Sequence, residues 1–123
     1  MLTILICASL IAVDGDTVKC DGQSLRDMGD GAPFVSGYDT PEIGRNADCQ
    51  SEDALGHVAK RRMAQLLKTP GLTIEDSGKI DRFDRPLVIL RLPDGRTIGS
   101  VLLAEGLAVE WRPGGSFDWC GQA

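Results

Sequence analysis

VDGDTVKCDGQSLRDM, Val13 to Met28, carries two Asp-Gly turns separated by one short apolar run. Asp14-Gly15-Asp16 leads out of the apolar stretch Leu2 to Val13 and into Thr17 to Cys20, and Asp21-Gly22 leads on into Gln23 to Met28. Asp and Gly reach the left-handed backbone conformations that tight turns demand, so the segment reads as a meander of three strands. The stretch that follows, LRDMGDGAPFVSGYDTPE, ends in the oxygen-rich cluster Asp39-Thr40-Pro41-Glu42.

Downstream the period changes. From Ser51 onward Leu55, Val58, Ala59, Arg62/Met63, Leu66 and Leu67 fall on one face at helical spacing, with Ser51 as a cap and Pro70-Gly71 as a stop. Leu72 to Asp76 and Pro86 to Leu92 read as strands joined by the charged loop SGKIDRFDR. Leu92-Pro93-Asp94-Gly95 turns the chain into a short strand at Arg96 to Ile98. Ser100 to Glu105 is a short helix stopped by Gly106, Leu107 to Trp111 a last strand, and residues 112–123 an irregular tail. This order predicts one mostly β (α+β) domain over 1–123. It matches a five-stranded Greek-key OB-fold barrel with the main helix between strands 3 and 4 and a short second helix, although other small barrels share it.

Bulk composition narrows the function. A net charge of -5 argues against a protein that coats nucleic acid by overall electrostatics, although the middle of the chain is mildly basic between two acidic ends. MLTILICASLIA is too short to span a bilayer, and it lacks a basic start and a spacer before Asp14, so it reads as a strand and not as a signal peptide. That favours the cytoplasm over export and excludes a membrane partner. Cys7, Cys20, Cys49 and Cys120 show no CxxC spacing, so a structural metal is not expected. Cys49 and Cys120 lie in loop-like sequence and are the expected disulfide pair, whereas Cys7 in its apolar run reads as a buried thiol. His57 sits on the helix among basic residues and reads as a surface side chain.

Each acidic cluster alone is an ordinary turn, but together they suggest chemistry. Two acidic turns ending different strands can bring Asp16 and Asp39 onto one hard cation, with the Thr40 carbonyl and water completing the shell. Glu42 then stands next to a metal-held water, and Arg85 offers a fixed cation to a phosphate.

AVDGDTVK, YDTPE, DRFDRPL and LLAEGLA occur in the order and with roughly the spacing of the thermonuclease (staphylococcal-nuclease-like) family, and the chain resembles that family from about Leu2 to Trp111. The resemblance implies an OB-fold and Ca²⁺-dependent hydrolysis of DNA or RNA phosphodiesters by a monomer, with Mg²⁺ or Mn²⁺ as other candidate ions. By position it makes Asp16 and Asp39 the carboxylate ligands, Thr40 a main-chain ligand, Glu42 the general base and Arg85 a phosphate-binding arginine. Phe83 falls where the family carries Tyr or Phe beside the nucleotide, and Arg82 is a further phosphate contact.

Three departures matter. A literal count puts Phe34 where the family has its other catalytic arginine, whereas Arg26-Asp27-Met28-Gly29 supplies the expected pattern if eight residues are inserted between Gly29 and Tyr38. On that reading Arg26 is the second catalytic arginine. Asp84 stands where glycine is usual and could pair with Arg85 or compete for the metal. The tail carries Trp111, Arg112 and Trp119 in place of the tyrosines that flank the nucleotide. These departures keep a second expectation open, a non-catalytic OB-fold module that binds nucleic acid or protein.

Overall fold

The meander begins as expected. In the computed structural model, which describes residues 3–121, β3 (Thr17–Cys20) and β4 (Gln23–Asp27) pair antiparallel across the Asp21-Gly22 turn, with Val18 opposite Leu25 and Thr17 opposite Arg26. Asp21 takes φ 50 and Gly22 φ 88, the left-handed conformations such a turn requires. Leu2, Gln122 and Ala123 lie outside the described residues.

The expected first strand is two strands. β1 (Thr3–Leu5) and β2 (Leu10–Ala12) lie at opposite ends of one six-stranded sheet of order β1-β6-β7-β4-β3-β2, where β6 is Thr73–Ile80 and β7 Pro86–Arg91. Flat, the two edges would stand about 24 Å apart. Residues 6–9 can bridge about 17 Å at most, so the sheet has to curl into a half-barrel. Cys7 in that link is no free thiol: it forms a disulfide with Cys20 at the end of β3, and Ser9 and Asp21 exchange hydrogen bonds beside it. The break in the strand and the bridge have one cause, the crossing of the chain from one sheet edge to the other.

Other differences are local. β6 runs on to Ile80 through an irregularity between Asp76 and Ile80, which takes up part of the charged segment expected as loop. The expected strand Arg96 to Ile98 shrinks to one bridge between Arg91 and Thr97. There the Thr97 hydroxyl accepts from Ser100 N at 3.1 Å and starts α2 (Ile98–Ala104) earlier than expected. β5 (Gly37–Asp39) was not expected; it pairs with β8 (Val109–Trp111) in a separate two-stranded ladder. The fold is therefore mixed α+β and mostly sheet, with eight strands among the described residues in place of five.

α1 (Gln50–Leu67) is capped by Cys49, whose sulfur accepts from Glu52 N, and not by Ser51. It buries Gly56, Ala59, Met63 and Leu66, a narrower stripe than expected, with Val58 exposed. Met63 and Leu66 join Val18, Leu25, Ile74, Val88, Leu90 and Leu102 in the core. The expected Cys49–Cys120 disulfide is present and ties the tail to the start of α1. No helix among the described residues is long and apolar enough to cross a membrane.

Candidate functional site

The two acidic turns meet because one residue between them has no side chain. A Cβ on Gly15 would stand 2.7 Å from the Thr40 side chain, so glycine in Asp14-Gly15-Asp16 is what lets the turn lie on Asp39-Thr40. Gly56 does the same from below. A Cβ there would come within 2.6 Å of the Glu42 carbonyl oxygen, so α1 can carry the Pro41-Glu42 segment on its surface.

Asp16 is the centre of the arrangement. Its carboxylate accepts from the Thr17 hydroxyl at 3.1 Å and the Thr40 hydroxyl at 3.3 Å, and Arg26 forms an ion pair with it. Burial would raise the pKa of Asp16, but the Arg26 charge and hydrogen bonds from Asp14, Arg26 and Thr17 pull it below the usual carboxylate range. Arg26 also donates to the Tyr38 carbonyl oxygen at 2.6 Å, so one guanidinium spans both acidic turns. It reaches there from β4, where the parallel pairing of Arg26 with Leu87 on β7 fixes its backbone.

Arg85, just before β7, is held from the other side. It donates to Asp81 at 2.8 Å and to the Thr17 hydroxyl at 2.9 Å, and that hydroxyl donates in turn to Asp16. Arg85 is thereby linked to the acidic centre through one threonine. Phe83 is exposed, with the Arg82 and Arg85 guanidinium carbons 4.8 Å and 5.2 Å from its ring centre.

Asp16, Arg26, Asp39, Glu42, Arg82, Phe83 and Arg85 all line one cleft of about 880 Å³. Thr40 is buried outside this lining and bonded to Asp16. Burial and the Asp16 charge raise the Asp39 pKa, and partial burial with the charges of Asp16 and Asp39 raises that of Glu42. Asp39 and Glu42 thus hold protons more tightly than usual, whereas Asp16 beside Arg26 gives its proton up more readily. Phe34 lines the same cleft but is exposed, and it is Arg26 that touches Asp16.

Some expectations fail here. Asp84 neither lines the cleft nor pairs with Arg85, whose partner is Asp81. It takes φ 61, a left-handed conformation that glycine adopts freely. Of the tail residues, Trp111 lines the cleft but Trp119 is buried outside its lining and packs on Phe117. His57 is on the surface of α1, 3.5 Å from Asp53.

Three residues were missed by sequence reasoning. Asp14 accepts from Asp16 N and Thr17 N and lines the cleft, and burial followed by the Asp16 charge raises its pKa to about 7. Its signal was in the Asp-Gly-Asp motif. Asp27 is buried beneath the cleft, where it accepts from the Tyr38 hydroxyl at 2.8 Å and from Gly29 N and Leu90 N, and burial raises its pKa to about 6. Glu52, buried in the first turn of α1, accepts from Glu42 N at 2.9 Å and from Asp48 N at 2.8 Å. Its spacing from Cys49 is that of a capping box, but the carboxylate reaches out to hold the Glu42 backbone.

No group of three or more His, Cys, Asp or Glu side chains stands ready to hold a metal ion among the described residues. The residues expected to hold an ion, Asp16, Asp39 and Thr40, offer two carboxylates and a main-chain carbonyl. All are hard oxygens, which suits a cation that takes carbonyls and water alongside few carboxylates. Searches of the chain against protein-family models and against curated proteins found no match.

Proposed function

We propose that this cleft is the site of a Ca²⁺-dependent nuclease, built on an OB-type barrel, that hydrolyses phosphodiester bonds of DNA or RNA. The observation that carries the reading is Arg26. Separated from Asp39 by the loop of residues 30–37, it still lays its guanidinium on Asp16 and the Tyr38 carbonyl. A phosphate in the cleft would then meet two arginines beside the carboxylates. The curled sheet supports the barrel reading, and the two disulfides suit an oxidising compartment better than the cytoplasm.

Asp16, Asp39 and the Thr40 carbonyl would hold the ion. Bound there, Ca²⁺ supplies a Lewis acid that polarises a phosphoryl oxygen and makes water more acidic. Glu42, whose raised pKa suits a proton acceptor, takes a proton from the attacking water as its oxygen bonds to phosphorus and the bond to the 5′ oxygen breaks. Solvent protonates the leaving oxygen, and the product keeps a 3′-phosphate. Arg85 and Arg26 bind the phosphoryl oxygens as their negative charge grows. Glu52 keeps Glu42 in place through its backbone.

The test is digestion of single-stranded DNA and RNA with Ca²⁺ and with excess chelator. Chelator should abolish cleavage, Glu42→Gln should lower kcat about 10²- to 10⁴-fold, and Arg85→Ala about 10²- to 10³-fold. Cleavage equal in the parent and both variants would sink the assignment. One observation favours the alternative, a binding module without catalysis: Asp16 is already paired with the Arg26 charge and hydrogen-bonded by two hydroxyls. Tight nucleic-acid binding with no metal-dependent cleavage would select that reading.

A further inference from the structure

The six aromatic residues of the chain divide into two sets. Tyr38 and Trp119 are buried, and Phe117 packs edge-on against Trp119 with ring centres 4.7 Å apart. The other three, Phe34, Phe83 and Trp111, all line the one cleft. Phe83 already carries two guanidinium groups on its ring. Phe34 is 59% exposed, and no ring or cation packs on it among the described residues.

Phe34 also has a costly backbone. Its φ of 65 is left-handed, a conformation that costs a bulky residue about 1 kcal/mol and that Gly or Asn would adopt more readily. The loop holds it there. Asp30 accepts from the Thr97 hydroxyl at 3.0 Å, Ser36 Oγ accepts from Ala32 N at 3.2 Å, and Val35 N and Ser36 N both reach the Ala32 carbonyl at 3.1 Å. At Gly31 a Cβ would collide with the Ser36 carbonyl, so the loop is closed tightly on itself. A loop closed by its own hydrogen bonds thus holds a mostly exposed apolar ring at the cleft.

From these observations, and resting on the nuclease reading, we infer that Phe34 is a stacking platform for an unpaired nucleobase of the strand bound in the cleft. The occupant follows from the surroundings. Arg82 and Arg85 line the same space and suit phosphate, a flat exposed ring suits the face of a base, and a base inside a duplex has no free face to offer. Phe34 is therefore a specificity-determining residue on the loop, favouring unpaired over paired substrate.

The experiment uses the full chain carrying Glu42→Gln, so that substrate survives, with short single-stranded DNA containing 2-aminopurine at successive positions in Ca²⁺. Binding should quench the fluorescence at one or two positions. Adding Phe34→Ala should weaken affinity about tenfold and remove that quench, Phe34→Trp should restore both, and Phe34→Leu neither. Phe34→Gly relieves the left-handed backbone, which offsets the freedom it adds to the unfolded chain, so it should fold while lacking the quench. Affinity and quenching unchanged by Phe34→Ala would overturn the inference. Ca²⁺-dependent cleavage by the parent, assayed in parallel, separates the two claims. Cleavage with no Phe34 effect removes the platform alone, Phe34-dependent quenching without cleavage removes catalysis alone, and neither binding nor cleavage removes both.

Discussion

The cleft has two walls, and they are built differently. One, the sheet wall, is carried by strands: Asp16 just before β3, Arg26 and Asp27 on β4, and Asp39 on β5 of the separate ladder, with Asp16, Asp27 and the neighbouring Tyr38 all buried. The other is carried by loops: Phe34, then Asp81, Arg82, Phe83 and Arg85, and the start of the tail, where most side chains are exposed. Charges on the sheet wall have lost water and depend on each other. Charges on the loop wall keep water, so their pairings matter less to folding and leave them freer to meet a ligand.

The largest expected effect separates the two arginines. Arg26→Met strands Asp16 as a buried charge without its partner and should cost about 3 to 5 kcal/mol of unfolding free energy. Arg85→Met breaks a partly exposed pair with Asp81 and should cost about 1 kcal/mol or less. Urea denaturation of both variants at pH 7 measures the difference. Equal losses would mean that the walls do not differ as described.

The two disulfides sharpen the contrast next. Cys7–Cys20 staples the sheet, while Cys49–Cys120 spans 71 residues and tethers the tail that follows the loop wall. Removing either by a double Cys→Ser change should cost about 3 kcal/mol, and the longer loop should lose more. Activity should separate them further. Well below both melting temperatures, loss of Cys49–Cys120 should lower cleavage because Trp111 and Gly114 line the cleft just before the tether, whereas loss of Cys7–Cys20 should leave it near the parent value. Equal activities would show that the tail does not depend on its anchor.

A smaller effect lies within the sheet wall. Burial raises the Asp27 pKa to about 6 from an ordinary 3.8, so folding disfavours its ionised form. Its contribution to stability is therefore complete below about pH 4 and is lost as pH rises through 6. Asp27→Asn should remove this dependence, so the parent should lose stability relative to the variant between pH 4 and pH 6, with no further change up to pH 8. Thermal melts across that range decide it, and parallel curves would contradict the raised pKa. Tyr38→Phe, which leaves Asp27 short of a donor, should cost about 1 to 2 kcal/mol at pH 7.

Legibility in sequence follows the same division. The sheet wall was readable where turn chemistry and alternation are local: Asp14-Gly15-Asp16, Asp21-Gly22 and the strands around them lie close to where the residues put them. Arg26 was found through the pattern of its neighbours, although the loop that displaces it hid it from a literal count. Long-range pairing was not readable. β5 is three residues long and exists because β8 lies beside it, and the first strand divides because its halves belong to opposite sheet edges. Cys7 looked like a core thiol because its partner depends on that crossing. Glu52 carried only a helix-start signal, since its second role rests on a backbone approach made possible by Gly56.

The smallest effect concerns Asp84, next to the loop wall in the chain but outside the cleft lining. Its left-handed φ of 61 explains why glycine would suit this place, but Asp is among the side chains that tolerate the conformation best. Asp84→Gly relieves a modest strain in the folded state and adds freedom to the unfolded chain, two effects that oppose each other. Stability should therefore change by no more than about 0.5 kcal/mol. Asp84 is exposed, lies outside the cleft lining and leaves Arg85 to Asp81, so cleavage should stay within about twofold of the parent. A tenfold gain on Asp84→Gly would mean that this carboxylate competes for the metal ion, or with the phosphate for Arg85, and that charges beside the loop wall are coupled to the sheet wall more tightly than their exposure implies.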